Sequence, residues 1–190
     1  SVDPAPLDFG PVPDKDWALD GTKGGTGHAR VIWSWDIGKT NAPGLGPDGQ
    51  WRKIAAKFAA IESEEARHES FLADDVEYLI VSWGTTGPFV DYVVEELRAD
   101  NVSIGAFRPV TLWPFPEAAL RQLAKGTKKV FTYEINAGQM IDDVRLAVED
   151  HQKVVPLGGV SVDYSGMRQG DLLSVGAIRN AVTQAISKGD

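Results

Sequence analysis

Between residues 75 and 116 the hydrophobic pattern changes period twice. Residues 77–83 are a short, nearly continuous apolar run with two β-branched positions, Ile80 and Val81, closed by Gly84. That pattern predicts a strand buried on both faces. Residues 84–88, Gly-Thr-Thr-Gly-Pro, turn the chain, and Pro88 suits a first helical position. From there Phe89, Val90, Val93, Val94 and Leu97 recur at helical spacing, while Asp91, Glu95, Glu96 and Arg98 take the other face. A second apolar run over residues 102–107 follows, and a strand, helix, strand order of this length requires a right-handed parallel crossover. Leu79, Val81, Val90, Val94, Ile104 and Phe107 are therefore expected in the core.

The flanking pattern extends this unit. Residues 1–13 hold four prolines and no helical periodicity, which predicts an extended arm. Residues 22–27 are a glycine-rich turn that lacks the preceding strand and the lysine-hydroxyl pair of a phosphate-binding loop, so a structural turn is expected. Residues 29–37 alternate like a strand, and residues 41–49 read as a loop. From about Asp48 to Leu72, Trp51, Ile54, Ala55, Phe58, Ile61, Ala66 and Leu72 form the stripe of a helix of about six turns, charged in its second half. Such a helix reads as a strap joining residues 1–74, an arm with a hairpin-like segment, to a domain over residues 75–190.

Downstream, residues 108–116 carry three prolines, which hold off a helix until Glu117. A strand over 128–135, a turn at 136–139 and a helix over 140–149 follow, then a strand over 154–162 broken at Gly158-Gly159 and a helix capped by Asp171. Alternation of this kind predicts a three-layer α/β/α sandwich with a mostly parallel sheet of four or five strands.

Composition narrows the function. The chain of 190 residues is 43 % hydrophobic with a net charge of −8, enough apolar content for a core. No basic stripe is present to bind nucleic acid or anionic lipid. The absence of cysteine excludes disulfides, thiolate metal sites and iron–sulfur ligation by this sequence. No apolar run approaches the length of a membrane span and no signal peptide is evident, so a cytoplasmic location is expected.

In a parallel α/β fold ligands and partners meet the carboxyl edge of the sheet. The turns at 84–87, 108–111 and 136–139 should gather there, making Thr85, Thr86, Arg108, Thr111, Asn136 and Gln139 candidate contact residues. None is a strong nucleophile without an activating base, so contact rather than catalysis is expected. Glu134, at a strand end, suits either a general base or an acceptor for the next loop. Asp142 and Asp143 read as a solvated helix start. His28, His68 and His151 are scattered, on a loop, a charged helix face and a helix end, without metal-ligand spacing, and read as surface residues. Proline beside large aromatics makes Trp17, Trp113 and Phe115 candidate interface residues.

Residues 107–116, FRPVTLWPFP, followed by YEINAGQM at 133–140, resemble the second domain of the α subunit of 2-oxoacid:ferredoxin oxidoreductases. The segment 13–21, PDKDWALDG, is similar to the branched-chain members. The resemblance implies a fold like the transketolase C-terminal domain. It also implies a complex that uses thiamine diphosphate, magnesium and iron–sulfur clusters to oxidise a 2-oxoacid to acyl-CoA. Thiamine-binding and iron–sulfur subunits, ferredoxin and coenzyme A would be its partners. No Gly-Asp-Gly diphosphate and magnesium motif is present and the thiamine-pyrimidine domain is unmatched, so this chain is expected to hold no cofactor and to be inactive alone. A free-standing binding module for a nucleotide or acyl phosphate at the turns 84–87 and 136–139 is the alternative.

Overall fold

A computed structural model describes residues 10–11, 46–158, 162–163, 166–167 and 174–188. Trp17, His28, the glycine-rich turn, the strand expected over 29–37 and Asp171 lie outside the described residues. The chain divides into two compact units, Ser1–Ala55 and Ala56–Asp190. The first contributes the start of helix α1 (Gly46–Glu65). Much of the α1 stripe is exposed, Trp51 and Phe58 included, with Ile54 and Ile61 partly covered.

The second unit is built on a five-stranded sheet. Its strands are β1 (His68–Phe71), β2 (Tyr78–Val81), β3 (Ile104–Pro109), β4 (Lys129–Glu134) and β5 (Val154–Gly158), in the order β1-β3-β2-β4-β5. The helices are α2 (Thr86–Ala99), α3 (Glu117–Ala124), α4 (Met140–Ala147) and α5 (Val175–Ser187). A separate antiparallel pair, β6 (Val162–Asp163) and β7 (Gly166–Met167), precedes α5. Strands β2 to β5 are parallel and β1 is an antiparallel edge.

The continuous apolar runs are explained by burial on both sides. On one face Leu79, Val81, Phe107 and Val130 pack against Leu120 of α3 and Met140, Ile141 and Val144 of α4. On the other, Tyr78, Ile80, Ile104 and Phe131 pack against Val90, Val93, Val94 and Leu97 of α2 and Ile178 and Val182 of α5. Alternate residues of each strand thus supply two cores, the arrangement that right-handed crossovers impose. The six core positions expected from sequence are all fully buried.

The structure corrects several boundaries. The strap helix expected to reach Leu72 stops at Glu65, and residues 68–71 form β1 instead. Each of the four pairs with β3, from His68 opposite Pro109 to Phe71 opposite Ala106, and the His68 ring stacks on Phe107 at 5.1 Å. His68 is therefore an exposed strand residue and not part of a helix face. Helix α2 begins at Thr86, so Pro88 is its third residue. It still falls in the first turn, where a missing N–H leaves no intrahelical bond unmade. Strand β5 ends at Gly158, whose φ of +74° turns the chain and where a Cβ would lie 2.7 Å from the Glu134 carbonyl oxygen. The cap of α5 is Ser174, whose Oγ accepts from the Ala177 N–H.

Candidate functional site

The order β3-β2-β4-β5 sends the chain from β2 to one side and then back across to β4. The topological switch point lies between β2 and β4, and the crevice outside their carboxyl ends is where such sheets bind ligands. The loops at this edge are the ones that the sequence singled out.

Glu134, the last residue of β4, is 4 % exposed. Its Oε1 accepts from the backbone N–H groups of Gln139 at 3.1 Å and Met140 at 2.8 Å, and its Oε2 from Ile141 at 3.1 Å. The carboxylate thus occupies the amino end of α4, where the unpaired N–H groups and the helix dipole favour an anion. Of its two possible roles, the acceptor is the one realised. Asn136 tightens the same turn, its Oδ1 accepting from Gly138 N–H at 2.8 Å. Beyond this turn lies a cleft of about 310 Å³ lined by Glu134, Asn136, Asp142, Arg145 and Gly158. Arg145 reaches Asp142 at 3.3 Å. Burial raises the Asp143 carboxyl above its ordinary range, with Asp142, Glu117 and Glu134 adding to the effect.

The turn at 84–87 is likewise engaged internally. Gly84 has a φ of +61°, its carbonyl accepts from Gly87 N–H, and the buried Thr86 hydroxyl donates to the Trp83 carbonyl at 2.8 Å. Thr85 is exposed and makes no side-chain cap. Arg108 runs across Gly87 so closely that a Cβ there would lie 2.6 Å from its Cδ. Its guanidinium pairs with Glu69, the residue opposite it on β1. Thr111 Oγ1 accepts from Arg67 N–H at 3.0 Å and donates to the Pro114 carbonyl at 2.9 Å. Gln139 is exposed and takes part through its backbone N–H.

Asp91 lies one helical turn into α2, beside a cavity of about 60 Å³ that Glu69 and Arg108 also line. Burial raises its carboxyl above the ordinary range; Arg108 opposes the shift, and Glu69 and Glu95 add to it. A carboxyl raised on folding binds its proton more tightly in the native state, so its contribution is fullest in acid and is lost as pH rises through the native pKa. Asp91→Asn should therefore gain in melting temperature on the wild type between about pH 3 and pH 7. A melting-temperature difference that stays flat across that range would refute the burial argument.

Sequence reasoning singled out Trp113 and Phe115 as interface residues but missed the exposed Trp83 and Ile135 at this edge. Trp83 and Ile135 sit just past the last ladder residues of β2 and β4 and are 40 % and 51 % exposed. Val110, Leu112 and Trp113 after β3 are also exposed, and Trp113 meets Phe58 edge-to-face at 5.4 Å. Phe115 is half-buried beside α3. The available signal was their position: a large apolar residue directly beyond a strand end points out of the sheet edge.

The residues at this edge do not fit a diphosphate. The amino end of α4 is filled by the chain's own carboxylate, and the cation beside α2, Arg108, is already paired. Among the described residues no group of three or more acidic or histidine side chains could hold a metal ion. No helix among them is long and apolar enough to cross a membrane.

Comparison with known proteins finds relatives for part of this chain. The ketoisovalerate oxidoreductase subunit VorB of Methanothermobacter thermautotrophicus is 38 % identical over 108 residues, which is 56 % of this chain and 31 % of that protein. The 2-oxoglutarate synthase subunit KorA of Methanothermobacter marburgensis is 33 % identical over 72 residues, 38 % of this chain and 19 % of that one. The chain thus spans about a third or less of the length of these relatives. Among solved structures, a 2-oxoglutarate:ferredoxin oxidoreductase from Magnetococcus marinus with 2-oxoglutarate, coenzyme A and succinyl-CoA bound shares the fold. Its TM-score is 0.65 at 21 % identity, covering 86 % of this chain and 28 % of that one. A split-gene transketolase, in an inactive β4 tetramer, superposes with a TM-score of 0.51 at 20 % identity, over 64 % of this chain and 41 % of that one. The family model for pyruvate:ferredoxin oxidoreductase core domain II matches residues 76–167, which contain β2 to β5 and the loops of the carboxyl edge. Over those residues, just under half of the chain, the sequence is similar to core domain II of the pyruvate:ferredoxin oxidoreductases and to subunits of other 2-oxoacid oxidoreductases.

Proposed function

We propose that this chain is part of the α subunit of a thiamine-diphosphate-dependent 2-oxoacid:ferredoxin oxidoreductase, in which its α/β domain is a structural and interface domain. The observation that carries this reading is the carboxyl edge itself: Trp83, Leu112, Trp113 and Ile135 are exposed there, while the α4 terminus is filled by Glu134. An edge with apolar side chains outward and the leading amides of α4 taken up suits a protein surface better than an anionic ligand. The nucleotide or acyl-phosphate module is accordingly not favoured.

In this role the thiamine-binding and iron–sulfur subunits are the partners, and thiamine diphosphate, magnesium and the clusters reside with them. Coenzyme A and ferredoxin act at the level of the complex, in the cytoplasm. Similarity to the ketoisovalerate subunit supports a branched-chain 2-oxoacid. Residues 75–190 form the domain, to which residues 68–71 add an edge strand, and residues 1–74 are otherwise the arm, hairpin-like segment and strap helix. Thr85, Asn136 and Gln139 flank the apolar contacts, and Trp17, Trp113 and Phe115 belong to the interface.

Reconstitution tests this. Mixed with a thiamine-diphosphate-binding subunit of the same family, the chain should co-elute, and 2-oxoacid-dependent dye reduction should require both. Trp113→Ala with Leu112→Ser should raise the dissociation constant by about tenfold or more, as loss of an aromatic anchor does. Dye reduction by the chain alone, or no co-elution at micromolar concentration, would overturn the proposal.

A further inference from the structure

A cleft of about 510 Å³ opens between the end of α1 and the start of α3, lined from Pro114, the residue that follows Trp113. Pro114, Phe115, Pro116 and alanines of α3 line it on one side, and Glu62, Glu117, Ser63 and His68 supply its polar groups. No lysine or arginine is among its lining residues. Glu62 has no ion-pair partner among the described residues, and Glu117 holds Arg121 only at 3.5 Å, with both side chains substantially exposed. The cleft therefore sets apolar stretches of wall beside polar groups, and its two carboxylates have no lysine or arginine of the lining to answer them.

We infer that this cleft receives a basic side chain from an apolar segment of a partner protein. An arginine or lysine stem packs along apolar walls while its head seeks carboxylates. Prolines hold two of the walls, so little freedom is lost on docking. Leu112 and Trp113, exposed and directly before the lining Pro114 in the chain, offer area to the apolar residues that flank the basic one. An acidic or purely polar segment would leave Glu62 and Glu117 facing like charge or nothing, which is how the rim discriminates.

The inference rests on the proposed role of this edge as an interface and adds the chemistry of what meets it. It is tested on the full chain with capped synthetic peptides in which leucine alternates with arginine, with glutamate or with serine, followed by the indole N–H resonance of Trp113. The arginine peptide should shift that resonance saturably, more weakly at high salt, and the glutamate peptide should not. Glu62→Gln combined with Glu117→Gln should weaken arginine-peptide binding by at least about fivefold. Glu64→Gln, outside the cleft lining, should bind as the wild type does, and unchanged spectral dispersion reports that each variant is folded. Equal binding of the glutamate peptide, an unaffected double variant or no saturable shift would each overturn the inference. A chain that takes the arginine peptide but fails to co-elute with the thiamine-binding subunit would sink the assembly proposal alone, and the reverse pair of results would sink this one alone.

Discussion

Val94→Asp should leave the domain without a cooperative thermal transition, or lower its stability by about 4 kcal/mol or more. Val94 is fully buried on the sheet face of α2, in the core it shares with Ile104, Phe131, Ile178 and Val182. A carboxylate there has no ion partner within that apolar cluster. The variant therefore loses the burial of a valine, about 1.5–3 kcal/mol, and adds a desolvation cost of several more. Against a typical total of about 5–15 kcal/mol, the loss approaches the whole stability of a marginal domain. Glu95, the next residue, is exposed, and Glu95→Asp should change little. Thermal melts of the pair decide the matter: a Val94→Asp variant within a degree or two of the wild type would mean that the register of α2 on the sheet is wrong.

That core was legible because its signal is local. The run 78–81 is apolar at every position and α2 repeats at helical spacing, so both elements follow from a few adjacent residues. Strand β1 is the opposite case. His-Glu-Ser-Phe has one large apolar residue and continues a charged helical stretch, and its extended form comes from four ladder pairs with residues about forty positions away. No local pattern encodes such a pairing. The overlong strands expected at 77–83 and 128–135 had a related cause. Trp83 and Ile135 continue the apolar runs, but hydrogen-bonded pairing stops at Val81 and Glu134, and the two residues at the ends of the expected strands are left exposed.

The contact residues show the same division. Their location at the carboxyl edge was legible from strand order, since every loop after a parallel strand must emerge there. Their employment was not, because it depends on which group lies nearest after folding. Arg108 faces Glu69 only because β1 lies antiparallel beside β3. Asp91, which reads as an ordinary residue of a solvated helix face, is half-buried and shares a small cavity with the same pair. Glu134 is the intermediate case: a strand-end carboxylate followed within a few residues by an Asn-Ala-Gly turn and a helix is a local arrangement, and it left two roles open that only the backbone path could separate.

Glu134→Ala should cost about 3–5 kcal/mol, measured as a shift in the urea midpoint of the full chain. Three backbone N–H groups lose their acceptor together, and those of Met140 and Ile141 are buried where water cannot replace it. Hydrogen bonds to a charged group are worth about 1.5–3 kcal/mol each, and because all three share one carboxylate their sum overstates the loss. Glu134→Gln keeps one acceptor oxygen and the side-chain volume, so it should cost about 1–2 kcal/mol. Amide exchange at residues 139–141 should accelerate in the alanine variant before global unfolding does. The alanine variant also removes the anion that fills the amino end of α4, so added sulfate should stabilise it more than it stabilises the wild type. An alanine variant within about 1 kcal/mol of the wild type and indifferent to sulfate would mean that this helix end is not held by Glu134. The edge would then be open to an anionic ligand, and its role as a protein surface would lose its main support.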